Sequence, residues 1–363
     1  MATLTLLLLP DLIVWLKFGH GGVHSPLWAM LPLVISVTVI ANTLLATVTC
    51  KRMTALRLSF LGLILGGIPK LIFGCCCLLL PWQITLVPAF LTLTALFYGF
   101  TAGWRRLKIR TVTCSFPELP QVFDGYRILH FSDLHAGTFA RHPRFVERLA
   151  DAITRQKVDM IVFTGDLVNI KSREADFCQQ ALSRISRESA TTCLAVMGNH
   201  DYCESERVRA FEKKIGWRLL QNEHILVRWG REQIAFVGVE NISKPPFPTF
   251  GNIEKAVEGI PSGTFQILLA HDPIVWEDII RKPADHPCSF SLTLSGHTHG
   301  AQLRIGPFSP AAWIYKYWGG LYEEALHGVK RCLYVSLGIG GTVPFRLGAW
   351  PEITVLTLRH VKN

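Results

Sequence analysis

The distribution of charge divides this chain near residue 104. Between Met1 and Trp104 the sequence contains one acidic residue, Asp11, and five basic residues. The rest of the chain carries charged residues of both signs at a density typical of a globular surface. A region that is so apolar suits lipid as its solvent, so the sequence predicts a transmembrane region over residues 1–104, followed by a polar domain. The alternative is that these stretches are core helices of a soluble protein.

The apolar region contains several stretches long enough to cross a bilayer, which takes about 20 residues in a helix. Residues 26–49 and 84–104 are uncharged, and residues 58–80 contain one charge, Lys70. That third stretch is therefore either kinked at its Pro-Lys pair or packs the lysine against a partner. The shorter stretch 3–16 is compatible with a first span, a re-entrant segment or a signal peptide, although no basic residue precedes it. The sequence predicts three or four transmembrane helices.

Basic residues cluster at two positions beside these stretches. Lys51, Arg52 and Arg57 precede the third stretch, and residues 105–110 follow the last one with four more basic residues. The positive-inside rule makes the side of both clusters cytoplasmic. We therefore expect a multi-pass protein of the cell or inner membrane, with its C-terminal domain in the cytoplasm and the phospholipid bilayer as a partner.

The net charge of +10 raises the alternative of nucleic-acid binding. A nucleic-acid reader carries a basic stripe on its globular domain. Here most of the excess positive charge lies in or beside the apolar region, where it suits an anionic leaflet. The sequence therefore predicts no nucleic-acid partner.

The polar part reads as an α/β domain. Residues 105–124 are predicted as a basic juxtamembrane linker leading into a first strand, and residues 125–363 as the domain itself. Short β-branched runs alternate with helix-period stretches in its first half and follow one another in its middle, a pattern that favours two packed β-sheets flanked by helices. The predicted helices are 143–156, 174–188 and 205–215, and the predicted strands are 127–132, 158–164, 193–197, 225–229, 234–239, 265–270, 291–295, 332–337 and 353–358.

Five of these strands end in polar clusters. The carboxyl ends of strands in open α/β sheets line the ligand crevice, so the five clusters are expected to converge. Glycines within them permit the tight turns that such convergence requires. The clusters are Asp133-Leu-His135, Gly165-Asp166, Gly198-Asn199-His200-Asp201, His271-Asp272-Pro273 and Gly296-His297-Thr298-His299-Gly300.

The side chains in these clusters are suited to divalent metals. Imidazole favours zinc and iron, whereas carboxylate and amide oxygens favour manganese and magnesium. A mixed nitrogen and oxygen set without thiolates therefore predicts two divalent metal ions, manganese first, with iron or zinc as alternatives. A pair of such ions about 3.5–4 Å apart clamps a phosphoryl group during in-line displacement.

These five clusters, in this order, resemble those of the calcineurin-like metallophosphoesterases over roughly residues 125–350. The resemblance implies hydrolysis of a phosphate ester or phosphoanhydride. It also implies that His200 faces the phosphate and protonates the leaving oxygen, with Asp201 orienting His200 by a hydrogen bond. The implied ligands are Asp133, His135 and His299 for one metal and Asn199, His271 and His297 for the other, with Asp166 bridging the two.

The substrate is less constrained than the reaction. The aromatic segment 308–322 fits either a lip that grips an acylated substrate or ordinary packing of an insertion. Together with the apolar region, the clusters resemble the membrane-bound subgroup of the family, some of whose members cleave UDP-2,3-diacylglucosamine. A lipid-linked phosphodiester or pyrophosphate is thus the expected substrate. The alternatives are a general phosphodiesterase acting on soluble substrates and a non-catalytic membrane scaffold.

Overall fold

The chain folds into two compact units, Met1–Ala102 and Gly103–Asn363. The structure is a computed structural model, and it describes residues 8–13, 16, 31–48, 52–79, 82–189, 191–245, 249–279, 282, 286, 288–326 and 328–362.

The described residues of the first unit are helical up to Thr101. Its helices are α1 (Leu31–Val48), α2 (Arg52–Gly62), α3 (Ile68–Leu79) and α4 (Trp82–Thr101), and a π-helical turn, Leu63–Gly67, joins α2 to α3. Residues 8–13 are also helical.

Two helical stretches are long and apolar enough to cross a membrane, Arg57–Cys76 and Leu86–Arg105. They correspond to the predicted spans 58–80 and 84–104. The predicted span 26–49 contains the 18-residue helix α1, but its first residues lie outside the described part of the chain. Most of the stretch 3–16 also lies outside it. Two of the predicted spans are therefore present as candidates, and the others stay predictions.

Lys70 is packed against a partner, one of the two arrangements that its sequence context allows. Its ammonium lies 2.6 Å from a carboxylate oxygen of Asp11, and Ser36 donates a hydrogen bond of 2.6 Å to the other oxygen. All three side chains are buried. The helix also departs from α-geometry just before Pro69, in the π-helical turn.

The second unit contains two six-stranded sheets. The first has the strand order β1-β12-β2-β3-β4-β5 and the second β10-β11-β9-β8-β7-β6. The strands are β1 (Lys108–Phe116), β2 (Arg127–Phe131), β3 (Met160–Phe163), β4 (Cys193–Ala195), β5 (Arg218–Leu219), β6 (Glu223–Trp229), β7 (Glu232–Gly238), β8 (Phe265–Leu269), β9 (Leu292–Ser295), β10 (Gly320–Leu326), β11 (Val329–Val335) and β12 (Glu352–His360).

Both sheets are mixed, and their central strands run parallel. Strands β2, β3 and β4 are parallel neighbours in the first sheet, as are β7, β8 and β9 in the second. Antiparallel pairs join β12 to β2, β6 to β7 and β10 to β11. The parallel strands bring their carboxyl ends to one edge of each sheet, where the polar clusters follow them.

Helices cover the outer faces of the sheets. The helices are α5 (Arg144–Thr154), α6 (Gln179–Glu188), α7 (Ser205–Lys214), α8 (Ile253–Val257) and α9 (Trp276–Ile279). Phe145, Leu149 and Ile153 lie on one face of α5 and are buried against the first sheet. A separate apolar core between the sheets includes Val162 of β3 and Ile267 of β8.

The predicted sandwich of two sheets flanked by helices is confirmed. All nine predicted strands and all three predicted helices are present, with ends that differ by a few residues. Residues 172–178, at the start of the second predicted helix, form a 3-10 segment. Strands β5 and β10 were not predicted; β10 lies partly in the aromatic segment 308–322, which carries no clean alternation.

Candidate metal centre

The two sheets contribute side chains to one buried site. Strands β2, β3 and β4 supply Asp133, His135, Asp166 and Asn199, while β8 and β9 supply the histidines from the second sheet. Backbone hydrogen bonds tie neighbouring clusters together: the N–H of Asp133 donates to Gly165, and the N–H of His135 donates to Asp166. All the candidate ligands predicted from the sequence are brought to this place.

Four side chains form the first focus of the site. His135 Nε2 lies 3.2 Å from His299 Nε2 and 3.4 Å from Asp166 Oδ2. His299 Nε2 is in turn 3.5 Å from Asp133 Oδ1. Asp133, His135 and His299 offer ligand atoms that all lie within 4.8 Å of one another.

The second focus shares Asp166 with the first. His271 Nε2 lies 3.3 Å from the same oxygen, Asp166 Oδ2, and 3.1 Å from Asn199 Oδ1. His297 Nδ1 lies 2.9 Å from Asn199 Oδ1 and 3.2 Å from His271 Nε2. One carboxylate oxygen therefore stands between two sets of ligand atoms.

The atoms of the second focus fit a cation. His271 donates its Nδ1–H to the Thr164 carbonyl at 2.7 Å, so its Nε2 faces the site. Nε2 lies 3.1 Å from the Asn199 carbonyl oxygen, and positive charge between these two atoms, a proton or a metal ion, stabilises that contact. Imidazole nitrogen with carboxylate and amide oxygen suits a divalent metal ion.

The electrostatics point the same way. Burial lowers the pKa of His135 to about 3 and that of His297 to about 4, so both imidazoles are neutral, the form that binds metals. Burial alone would also lower the pKa of His271, but the Asp166 carboxylate raises it to about 10. The position beside Asp166 therefore stabilises positive charge.

The backbone at the candidate ligands is strained. Asp133, His135, Asp166, His297 and His299 all have left-handed φ angles, between 43° and 73°. Such angles are uncommon outside glycine and cluster at functional sites. The strain is consistent with side chains that are forced to point at a common centre.

Two glycines are required by the close approach of the carboxylates. A Cβ at Gly198 would lie 2.2 Å from Asp166 Oδ1, and one at Gly296 would lie 2.3 Å from Asp133 Oδ2. Both glycines were predicted to permit turns, and the structure adds that they leave room for the ligands.

The predicted contact between Asp201 and His200 is wrong. The Asp201 carboxylate accepts hydrogen bonds from the backbone N–H groups of Asp166 and Gly198 at 2.8 and 2.9 Å, and also from Leu167. His200 instead has its Nδ1 2.6 Å from the Asn169 carbonyl oxygen. Consecutive residues of a helical turn do not face each other, so Asp201 holds the loop after β3 rather than the histidine.

Several neighbours of the site were missed in the sequence. Asn169 supplies the carbonyl for His200, and Arg346 Nη2 lies 3.5 Å from His299 Nδ1. Tyr315 packs its ring edge-on against His297. Asp272, whose role the sequence left open, caps the Ile274 N–H with one oxygen. The other oxygen accepts from Ser243 Oγ at 2.9 Å and lies 3.6 Å from His297 Nε2. The sequence drew attention to Asp272 and to the segment that contains Tyr315, but not to Asn169 or Arg346.

Comparison with known proteins identifies the family. The family model described as calcineurin-like phosphoesterase matches residues 126–301. An uncharacterised metallophosphoesterase of Helicobacter pylori strain J99 is 30% identical over 274 residues, covering 74% of this chain and 69% of that protein. The uncharacterised metallophosphoesterase YkuE of Bacillus subtilis is 29% identical over 273 residues, covering 72% of this chain and 90% of that protein.

A vertebrate relative is named as a transmembrane protein. The transmembrane protein with metallophosphoesterase domain of Danio rerio is 26% identical over 286 residues, covering 76% of this chain and 63% of that protein. Among solved structures, the 5'-nucleotidase precursor of Thermus thermophilus matches at 15% identity and a TM-score of 0.41, covering 64% of this chain; the chain spans about half, 54%, of that one.

The chain therefore belongs to the calcineurin-like phosphoesterase family, and it is a metal-dependent phosphoesterase. The candidate spans and the relatives named as transmembrane proteins together indicate membrane association.

Proposed function

We propose that this chain is a membrane-anchored hydrolase that uses two divalent metal ions, with manganese the preferred candidate. It cleaves a phosphodiester or pyrophosphate bond in a lipid-linked substrate such as UDP-2,3-diacylglucosamine. The observation that carries the proposal is the shared oxygen of Asp166, 3.4 Å from His135 Nε2 and 3.3 Å from His271 Nε2. A carboxylate in that position bridges two ligand sets, as a two-metal phosphoryl site requires.

The candidate side chains have separate roles in metal binding and proton transfer. Asp133, His135 and His299 would hold one ion and Asn199, His271 and His297 the other, with Asp166 bridging. Two ions bound there would supply Lewis acidity toward the phosphoryl oxygens. His200 donates its Nδ1–H to the Asn169 carbonyl oxygen. In the imidazolium form of the ring, the proton on Nε2 is then the one that His200 gives to the leaving oxygen, and the ring returns to its neutral form.

The membrane side of the proposal rests on composition. Apolar helices in the first unit supply an anchor, and the basic clusters around Arg52 and Arg105 favour a cytoplasmic catalytic unit. Reporter fusions after residue 50 and at the C-terminus test this orientation. Two cytoplasmic reporters agree with it, and a periplasmic or extracellular C-terminus contradicts it.

The decisive experiment is hydrolysis by the purified full-length protein in detergent, with manganese and after chelation. The substrates are bis-p-nitrophenyl phosphate, p-nitrophenyl phosphate and UDP-2,3-diacylglucosamine, and Asp166→Asn is the matched variant. We expect manganese-dependent cleavage that favours the acylated nucleotide and is lost in Asp166→Asn. Cleavage of the small diester alone would support a general phosphodiesterase, and silence on all three would support a scaffold. Turnover retained by Asp166→Asn would contradict the bridging role.

A further inference from the structure

The segment that follows the last metal cluster separates into packed and exposed residues. Tyr317 is buried, and Tyr315 and Trp318 are half-buried. By contrast Trp313 is 70% exposed and Phe308 46%, and their rings contact each other edge to face. Packing thus accounts for only part of the aromatic segment.

Two aliphatic side chains extend this exposed surface. Ile305 is 69% exposed and Ile314 is 74% exposed. We call Ile305, Phe308, Trp313 and Ile314 the aromatic lip. Ile305 pairs with Phe308 in a β-bridge, Phe308 contacts Trp313, and Ile314 follows Trp313 in the chain. Neighbouring exposed apolar side chains of this kind favour an interaction site over scattered surface residues.

The base of the aromatic lip is held firmly. Ser309 is buried, and its hydroxyl donates a hydrogen bond of 2.7 Å to the carbonyl of Gly300, the residue after His299. Ser309 Oγ also accepts from Ala311 N–H at 3.1 Å, which caps the 3-10 turn Pro310–Trp313. The apolar tips therefore project from a base that is tied directly to the metal centre.

A cavity of about 310 Å³ is lined by one residue of the aromatic lip, Ile314, and by one candidate metal ligand, His297. Ile274 and Tyr315 are among its other lining residues. Its volume falls at the lower end of the range for small-molecule sites, which begins at about 300 Å³. A headgroup could reach the metals through this cavity while its lipid chains lie on the lip.

The charge around the aromatic lip favours a lipid surface over a protein partner. Arg304 and Lys316 flank it, and the sequence between them contains no acidic residue. The carboxylates nearby are Glu277, which lies 3.8 Å from Lys316, and Asp272; both line the cavity rather than the lip. Tryptophan and phenylalanine beside cationic side chains are the composition of segments that sit in the bilayer interface. The same chain carries helices apolar enough to cross a membrane.

We propose that the aromatic lip contacts the lipid layer beside the cavity at His297. The substrate is then a lipid: its acyl chains lie on Trp313 and Ile314, and its phosphate-bearing headgroup enters the cavity. This inference rests on the proposed function and narrows it to substrates taken from the membrane.

A direct test of the contact does not depend on catalysis. The photo-crosslinking residue p-benzoylphenylalanine is placed at position 313 of the full-length protein, in vesicles of phosphatidylethanolamine and phosphatidylglycerol. The matched control carries it at position 229, because Trp229 is also an exposed tryptophan, at 57%, on the edge strand β6. We expect lipid adducts at 313 and not at 229. Equal lipid labelling at both positions, no lipid adduct at 313, or crosslinks from 313 to a second copy of the chain would each overturn the proposal.

Kinetics then connect the lip to the substrate. We compare the KM for UDP-2,3-diacylglucosamine in mixed micelles with the KM for bis-p-nitrophenyl phosphate. Trp313→Ser removes one large apolar contact with the lipid, so we expect the KM for UDP-2,3-diacylglucosamine divided by the KM for bis-p-nitrophenyl phosphate to rise about tenfold or more. The ratio in Trp229→Ser should stay at the wild-type value. An unchanged ratio in Trp313→Ser contradicts the lip, whereas failure of the wild type to cleave the lipid contradicts the proposed substrate and leaves the crosslinks to decide the lip.

Discussion

The Asp201 carboxylate accepts a hydrogen bond of 2.8 Å from the backbone N–H of Asp166. Its two oxygens also accept from Leu167 at 2.9 Å and from Gly198 at 2.9 Å. Asp201 is fully buried, so water cannot accept these hydrogen bonds in place of the carboxylate. Asp201 thus positions the backbone of Asp166, the carboxylate that we propose bridges the two metal ions.

We expect Asp201→Asn to destabilise the protein by about 3 kcal/mol, because an amide turns an N–H group toward backbone donors that a charged acceptor had satisfied. Displacement of the loop should also lower the metal content. Thermal unfolding in detergent and elemental analysis measure the two effects. Asp176→Asn changes an exposed carboxylate and should leave both at wild-type values. A stable, fully loaded Asp201→Asn variant would contradict the positioning role.

Gly198→Ala tests the close approach of the Asp166 side chain. The added Cβ would lie 2.2 Å from Asp166 Oδ1 and 2.4 Å from its backbone nitrogen, so the carboxylate must move. We expect metal affinity to fall about 10- to 100-fold, as it does when the support of a ligand is disturbed.

The matched control for that variant is Gly259→Ala. This variant also adds one methyl group to a glycine, but no atom lies within 4 Å of the added Cβ. Because Gly259 has a φ of 85°, the substitution brings only backbone strain. Its metal affinity should match that of the wild type even if the unfolding temperature falls. Equal metal loss in both variants would mean that general destabilisation, not crowding of Asp166, is responsible.

The positions of the candidate ligands were predictable because each follows a strand whose sequence is itself distinctive. Asp133 and Asp166 come directly after apolar β-branched runs, and parallel strands bring such residues together whatever lies between them. Tyr315 and Arg346 could not be found in this way. They reach the site from irregular segments after β9 and β11, where no periodicity fixes the direction of a side chain.

The error at Asp201 has a different cause. Its neighbour His200 is the residue that faces the substrate in the family pattern, and adjacency suggested a contact between them. The backbone at His200 is helical, with φ of −73° and ψ of −29°, so consecutive side chains diverge. Sequence proximity predicts contact in a helix only at three or four residues' distance, and here the partner of Asp201 lies 35 residues away.

His130 predicts a specific dependence of stability on pH. It is fully buried in β2 with its Nε2 2.8 Å from Thr164 Oγ1, and burial lowers its pKa to about 3. The unfolded chain, with a histidine pKa of about 6.5, therefore binds the proton first as pH falls. Stability is unaffected well above pH 6.5 and is lost as pH drops through 6.5 toward 3.

His130→Gln keeps a hydrogen-bonding group for Thr164 but does not titrate. Between pH 7.5 and 5.5 we expect the free energy of unfolding to fall by about 1.4 kcal/mol more in the wild type than in this variant. Denaturant unfolding of the full-length protein at the two pH values gives the difference. The same pH dependence in both proteins would show that His130 is not the group responsible.

The ion pair between Lys70 and Asp11 predicts that the first apolar stretch is part of the folded helical unit. Lys70→Met leaves the buried Asp11 carboxylate without its cation, and breaking a buried pair in this way costs about 3–5 kcal/mol. Replacing both residues, as in Asp11→Leu with Lys70→Met, removes the uncompensated charge and should restore most of the stability. Both variants are compared with the wild type by the yield and unfolding temperature of the full-length protein in detergent.

A double variant as unstable as the single one, or a single variant as stable as the wild type, would mean that Asp11 does not neutralise Lys70. The stretch 3–16 would then remain open to removal as a signal peptide. Rescue by the double variant would place Asp11 beside Lys70 in the mature protein and exclude that cleavage.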